Sequence, residues 1–363
     1  MSELVRIAVS LIPVFAFLVT LVLLDSFKLL RPPSIVGAIA VGCGVALACL
    51  FLAGWIIGMF PPGSAASTAY SRYLAPFVEE ILKAAFIIYL LARKRIGFMV
   101  DAAILGFAVG AGFAFIENIY YLGSLNDSNL LLWLVRGLGT AVMHGGATAA
   151  FAVLSQGLAE RGIGGKGSAR RQESDAARSG VQRVCRAFGQ AAVFLPGLGV
   201  AIGVHFLFNQ FVLSPVVTTV AQMLVLPALL AAIFNRSEKA LRDWLETGLD
   251  SNVQVLAYIT TGTISDTHAG RYLESLRTRF PGEIVADMLC LLRIHLELAV
   301  RAKGILLMRE AGFSVPIDLE TRERLDEMKF LERSIGATGR LAVAPILHSC
   351  GRDLWQLRLI GKR

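Results

Sequence analysis

A chain of 363 residues that is 55% hydrophobic and only 17% charged, with a mean hydropathy of +0.63, is too apolar for an ordinary soluble globule and reads as a polytopic membrane protein. The net charge of +8 does not point to nucleic acid, because the basic residues fall at the ends of apolar runs, where membrane orientation accounts for them. The cysteines Cys43, Cys49, Cys185, Cys290 and Cys350 form no CxxC pair and give no sign of a thiolate metal site or a disulfide framework.

A hydrocarbon core of ~30 Å needs about 20 apolar residues per helix. Seven stretches qualify in chain order: 4–24, 35–58, 73–92, 98–122, 131–156, 187–212 and 216–234. The first has a single arginine ahead of it and no small-residue cleavage pattern behind it, so it reads as a retained helix and not a signal peptide. Ser214-Pro215 leaves a very short connection between the last two. Residues 1–234 carry 16 Lys/Arg and 10 Asp/Glu, against 19 and 17 for residues 235–363. The expected fold is all-α: a polytopic bundle of about seven transmembrane helices over residues 1–234, then a soluble helical domain over 235–363.

Basic clusters alternate between loops. Lys28 and Arg31, then Arg93-Lys94-Arg95, then Arg161 through Arg186, and finally the tail from Arg236 all fall on one side, which places the N-terminus outside and the C-terminus in the cytoplasm of a multi-pass inner-membrane protein. The loop 157–186 is rich in Gly, Ser and Arg and is expected to be flexible. In the tail, Glu283 to Glu310 and Leu319 to Ile335 read as helices, the second capped by Asp318. A packed helical domain fits this pattern better than a coiled coil, and a cytoplasmic partner for it stays open. His268, His295 and His348 lack ligand-like neighbours and take no role.

The spans contain charge. Glu79-Glu80 lie inside an apolar stretch with Lys83 one turn on, Glu117-Asn118 lie in the next, then come His144 and finally His205 with Asn209. An ionisable group at membrane depth costs at least ~2.5 kcal/mol and marks a functional site by default. Counting ~1.5 Å per residue from the outer helix ends puts all four sets in the outer half of the bilayer or near its middle. Gly106 with Gly110, Gly145-Gly146, and Gly199 with Gly203 allow close helix approach. Lys83 can neutralise one of the two adjacent carboxylates. Three glutamates against one lysine leave a residual charge of about −2, costly in a low-dielectric site unless protonated or matched by a divalent cation. Zinc matches it, and two imidazoles with a carboxylate form a known catalytic zinc set.

The ordered motifs Glu79-Glu80-x-x-Lys83, Phe113-x-x-x-Glu117-Asn118, His144 and His205-x-x-x-Asn209 resemble the PrsW family of bacterial intramembrane proteases, within the larger group that includes the CAAX-processing enzymes. The likeness covers residues 70 to 212. It implies hydrolysis of peptide bonds in membrane-anchored proteins or peptides, anti-sigma factors among them. In the CAAX group the second motif usually ends in His, whereas Glu117 stands here, which favours PrsW. The expected site has Glu79 as general base, Glu80 tied to Lys83, Glu117, His144 and His205 as zinc ligands, and Asn118 with Asn209 donating to the scissile carbonyl oxygen. A metal-free version keeps the glutamate base alone. The rival reading is an ion-coupled secondary transporter, against which stands the lack of an internal repeat of the spans.

Overall fold

The computed structural model describes residues 3–25, 30–61, 63–124, 129–164, 192–210, 214–313, 315–316 and 318–347. These divide into two compact units, Met1–Ser237 and Glu238–Arg363. Among the described residues every regular element is helical.

In the first unit, α1 (Glu3–Leu24) and α2 (Pro32–Ile57) are followed by α3 (Ala75–Ala92), which is entered through a short helix Ala65–Ala69 and a π-helical turn Tyr70–Leu74. Then come α4 (Met99–Ser124) and α5 (Ala141–Gly164), the latter entered through Leu130–Leu134 and a second π-helical turn, Val135–Thr140. A 3-10 turn, Ala192–Phe194, leads into α6 (Leu195–Asn209). The helix α7 (Pro215–Thr260) runs for 46 residues, and the boundary between the units falls inside it. Among the described residues, six helices are long and apolar enough to cross a membrane. The one holding Glu79, Glu80 and Lys83, α3, has 18 residues. Of the stretch expected as a loop, 157–186, residues 157–164 are the end of α5; residues 165–191, with Cys185, Arg170, Arg171, Arg178, Arg183 and Arg186, lie outside the described residues, as do Lys28, His348 and Cys350.

Helix α4 is the centre of this unit. It is buried from Val100 to Ala114 on every side, whereas the outer helices expose large apolar side chains: Leu4, Leu23 and Leu24 of α1, Phe51 and Trp55 of α2, and Leu224, Val225 and Leu229 of α7. An apolar exterior of that extent suits lipid and not water. Glycines let the neighbours close on α4. A Cβ on Gly106 would lie 2.7 Å from the Thr148 carbonyl oxygen of α5, and one on Gly110 would collide with the His144 carbonyl. A Cβ on Gly42 of α2 would collide with the Val109 carbonyl. Gly199 and Gly203 differ from the expectation. No described atom lies within 4 Å of a Cβ on either, and it is Gly197 that faces α5, 2.9 Å from the Phe151 carbonyl oxygen.

The second unit holds α8 (His268–Leu276), α9 (Gly282–Glu310), α10 (Leu319–Ser334) and α11 (Gly336–Val343). Its core gathers Met288, Leu291, Leu292 and Leu298 of α9 with Leu325 and Leu331 of α10 and Val343 of α11. Asp318 caps α10, its carboxylate accepting from the Thr321 N–H at 3.0 Å. The apolar repeat of these helices is thus spent on their own core.

Candidate active site

The two π-helical turns set the site's geometry. Each inserts an extra residue per turn immediately ahead of a helix that carries chemistry, Tyr70–Leu74 before Pro76 and Glu79-Glu80, and Val135–Thr140 before His144. Such insertions rotate the following face relative to the preceding one. Pro76 near the start of α3 has no N–H to donate and fits this irregular start. The stretch around the second turn faces one cavity with Leu132, Val135, Arg136, Thr140, Met143 and His144.

The side chains form a connected chain of contacts. Lys83, with none of its surface exposed, puts Nζ 2.5 Å from Glu80 Oε1 and 3.0 Å from His144 Nδ1. Phe113 lies under both: Lys83 Nζ is 4.6 Å from its ring centroid and the His144 ring 4.7 Å. His144 Nε2 is 2.8 Å from Glu117 Oε2. His205 Nδ1 is 2.8 Å from Glu80 Oε1, and its Nε2 is 3.7 Å from Glu79 Oε2. The two imidazole rings meet edge to face at 4.7 Å.

The donor inventory fixes the roles. An ammonium has donors and no acceptor, so Lys83 donates to both Glu80 and His144 Nδ1. With Nδ1 accepting, the proton of a neutral His144 is on Nε2 and is donated to Glu117. Glu80 accepts from His205 Nδ1, which leaves the His205 Nε2 lone pair facing Glu79. A carboxylate behind one imidazole nitrogen and a free lone pair at the other is the usual support of a metal-ligating histidine.

Among the described residues, one group of donors is close enough to share a metal ion: Glu79, His144 and His205, whose ligand atoms lie within 4.8 Å of one another. Two donors ~2.0–2.1 Å from a tetrahedral ion stand about 3.4 Å apart, and the 3.7 Å between His205 Nε2 and Glu79 Oε2 is near that value. The residues therefore fit a metal. The acid in the group is Glu79, whereas the sequence placed Glu117 there. Glu117 is instead held at the His144 Nε2.

Above these side chains is a cavity of about 540 Å³, lined by Glu117, His144, His205 and Asn209 together with Thr140 and Arg136. Asn209 faces it one helical turn beyond His205. Asn118 does not. Its amide donates to the Ser10 carbonyl at 2.9 Å and the Arg136 carbonyl at 3.4 Å, while its Oδ1 accepts from Thr140 Oγ1 at 3.2 Å. Both N–H groups are committed to joining α1, α4 and the second π turn, so none is left for a substrate carbonyl. Phe113, Tyr121, Arg136 and Thr140 were not assigned roles from the sequence, although Phe113 sits within the motif that gave Glu117.

The PrsW family intramembrane metalloprotease model matches residues 31–233. The chain belongs to this family. It is accordingly a multi-pass membrane protein and an intramembrane protease, and the matched stretch contains every side chain of the contact network above. No curated protein and no solved structure matches the chain.

Proposed function

We propose that this PrsW family member is a zinc-dependent endopeptidase of the bacterial inner membrane that cuts a membrane-anchored protein or peptide, an anti-sigma factor being the type expected. The observation that carries the reading is the meeting of Glu79, His144 and His205 beside a second acid, Glu117, with His144, His205 and Glu117 opening onto a cavity. Glu79, His144 and His205 would hold the ion, and the chemistry supplied by zinc there is acidification of a water and polarisation of the scissile carbonyl.

The remaining residues divide the other tasks. Glu80, neutralised by Lys83, orients His205 through Nδ1. For His144 to hold an ion through Nε2, its proton would pass by way of Glu117 Oε2, 2.8 Å away, to water in the cavity, so that Glu117 is again a carboxylate, while Lys83 keeps its proton shared between Glu80 and His144 Nδ1. That position makes Glu117 the general base, which takes a proton from the attacking water and returns it to the leaving amine. This reverses the assignment of Glu79 and Glu117 made from sequence, because Glu79 is the acid within ligand distance of both histidines. Asn209 donates to the carbonyl oxygen as it becomes anionic. The substrate enters unwound, since the amides of an intact helix are shielded by their own hydrogen bonds. The alternating basic loops orient the N-terminus outside and place the Glu238–Arg363 unit in the cytoplasm.

The test is cleavage of a single-pass substrate by the full chain in proteoliposomes. Activity lost on chelation and restored by zinc supports the proposal. Cleavage indifferent to chelation, or retained by Glu117→Gln, overturns it.

A further inference from the structure

Two arginines border the cavity, and each comes from one of the two π-helical turns: Arg72 from Tyr70–Leu74 and Arg136 from Val135–Thr140. Arg136 is the more constrained. Its Cζ lies 3.5 Å from the centroid of the Tyr121 ring, and its backbone carbonyl accepts from both Asn118 and Thr140. Its Nε is buried and has no hydrogen-bond partner among the described residues. Glu117, which lines the same cavity, accepts from His144 and lies within the field of the Arg136 charge, so it is the Nε of the guanidinium that is left unmatched. A buried guanidinium N–H without an acceptor is costly, and the planar fork of arginine matches a carboxylate with two parallel hydrogen bonds.

We propose that Arg136, assisted at the rim by Arg72, binds a carboxylate of the substrate, so that this protease selects peptides carrying an acidic group close to the scissile bond. The inference rests on the protease reading above. Stacking on Tyr121 removes the rotamer entropy that an exposed arginine would lose on binding, and the side chain lines the cavity that holds His144. The carboxylate can belong to an Asp or Glu side chain or to the peptide's C-terminus. Arg136 is then a specificity residue: its removal changes which peptides are cut and leaves the hydrolytic groups in place.

The experiment has a binding arm and a cleavage arm. Membrane-anchored peptides that differ only in Glu against Gln beside the span, each with a free or amidated C-terminus, carry a photo-crosslinking group and are captured by the full chain in nanodiscs. Capture uses the Glu79→Gln background, so that turnover does not remove the peptide and the Glu117 carboxylate beside Arg136 is kept. The expected result is capture of the Glu peptide at least tenfold above its Gln twin, a gap that closes in Arg136→Gln and narrows in Arg136→Lys. If the free C-terminus and not the side chain sets the gap, the terminus is the ligand. Thermal unfolding of both variants shows whether they remain folded. In the cleavage arm the wild type is profiled on a mixed peptide pool, and acidic residues should be enriched near the cut and lose that enrichment in Arg136→Gln. Equal capture of Glu and Gln peptides by the inactive chain with Arg136 intact overturns the proposal. So does an Arg136→Gln variant that weakens both peptides alike or loses only anionic lipid. If the binding arm succeeds and no peptide is ever cut, the protease reading fails and this assignment stands.

Discussion

Lys83 is the side chain whose removal the structure prices most directly. It is fully buried, its Nζ 2.5 Å from Glu80 Oε1 and 3.0 Å from His144 Nδ1, over the face of Phe113. Lys83→Met keeps the length and apolar stem but strands the Glu80 carboxylate, itself only 1% exposed, with His205 Nδ1 as its remaining partner. Stranding one half of a buried ion pair costs about 3–5 kcal/mol. Glu80→Gln with Lys83→Met leaves no uncompensated charge, so the double variant should be more stable than Lys83→Met alone, with a coupling between the two sites of roughly 2–3 kcal/mol. The assay is SDS-driven unfolding in mixed micelles, followed by tryptophan fluorescence, for the wild type, both single variants and the double. If Lys83→Met matches the wild type, or the double loses the sum of the two singles, the pair is not the buried ionic unit described here.

Glu117→Gln should lower cleavage by a factor of about 10²–10⁴, the usual contribution of a positioned base, with unfolding unchanged to within about 1 kcal/mol. Gly110→Val places side-chain atoms into the His144 carbonyl and should abolish both folding yield and activity, whereas Gly199→Ala and Gly203→Ala meet no described atom within 4 Å and should behave as wild type in thermal unfolding. Asn118→Ala removes the bonds to Ser10 and Arg136 and should cost about 1–3 kcal/mol in the SDS assay. Any residual cleavage by that variant should show an unchanged KM, since its amide does not reach the cavity.

Much of the site was legible because an apolar span gives charge few innocent uses. Glu79, Glu80, Lys83, Glu117, His144 and His205 stood out by their cost, and the i+3 spacing of Glu80 and Lys83 gave their pairing. Hydropathy located α1, α2 and α4 within a few residues. The π-helical turns were invisible, because a switch in backbone hydrogen bonding leaves no mark on composition, whereas Arg136 and Thr140, eight and four residues before His144, already share its face by ordinary helical spacing. The division between Glu79 and Glu117 was equally hidden: both are single acids at similar depth, and only the packing of α4 on α5 sets Glu117 against the back of His144. Asn118 looked like its fellow amide Asn209, yet it points toward α1, where backbone carbonyls take its donors. Gly199 and Gly203 repeat the spacing of Gly106 and Gly110 but face outward, since α6 is edge and α4 is centre. The 216–234 stretch ended where apolarity ended, whereas α7 continues to Thr260 because its later residues still form good helix.

The most direct test is the metal stoichiometry of the purified full chain, loaded with zinc, desalted and measured by mass spectrometry alongside Glu79→Gln, Glu117→Gln, His144→Ala and His205→Ala. About one equivalent in the wild type and in Glu117→Gln, and its loss from the other three, is the result this arrangement of ligands requires. An unmetallated wild type, or zinc retained by Glu79→Gln and lost from Glu117→Gln, would contradict it.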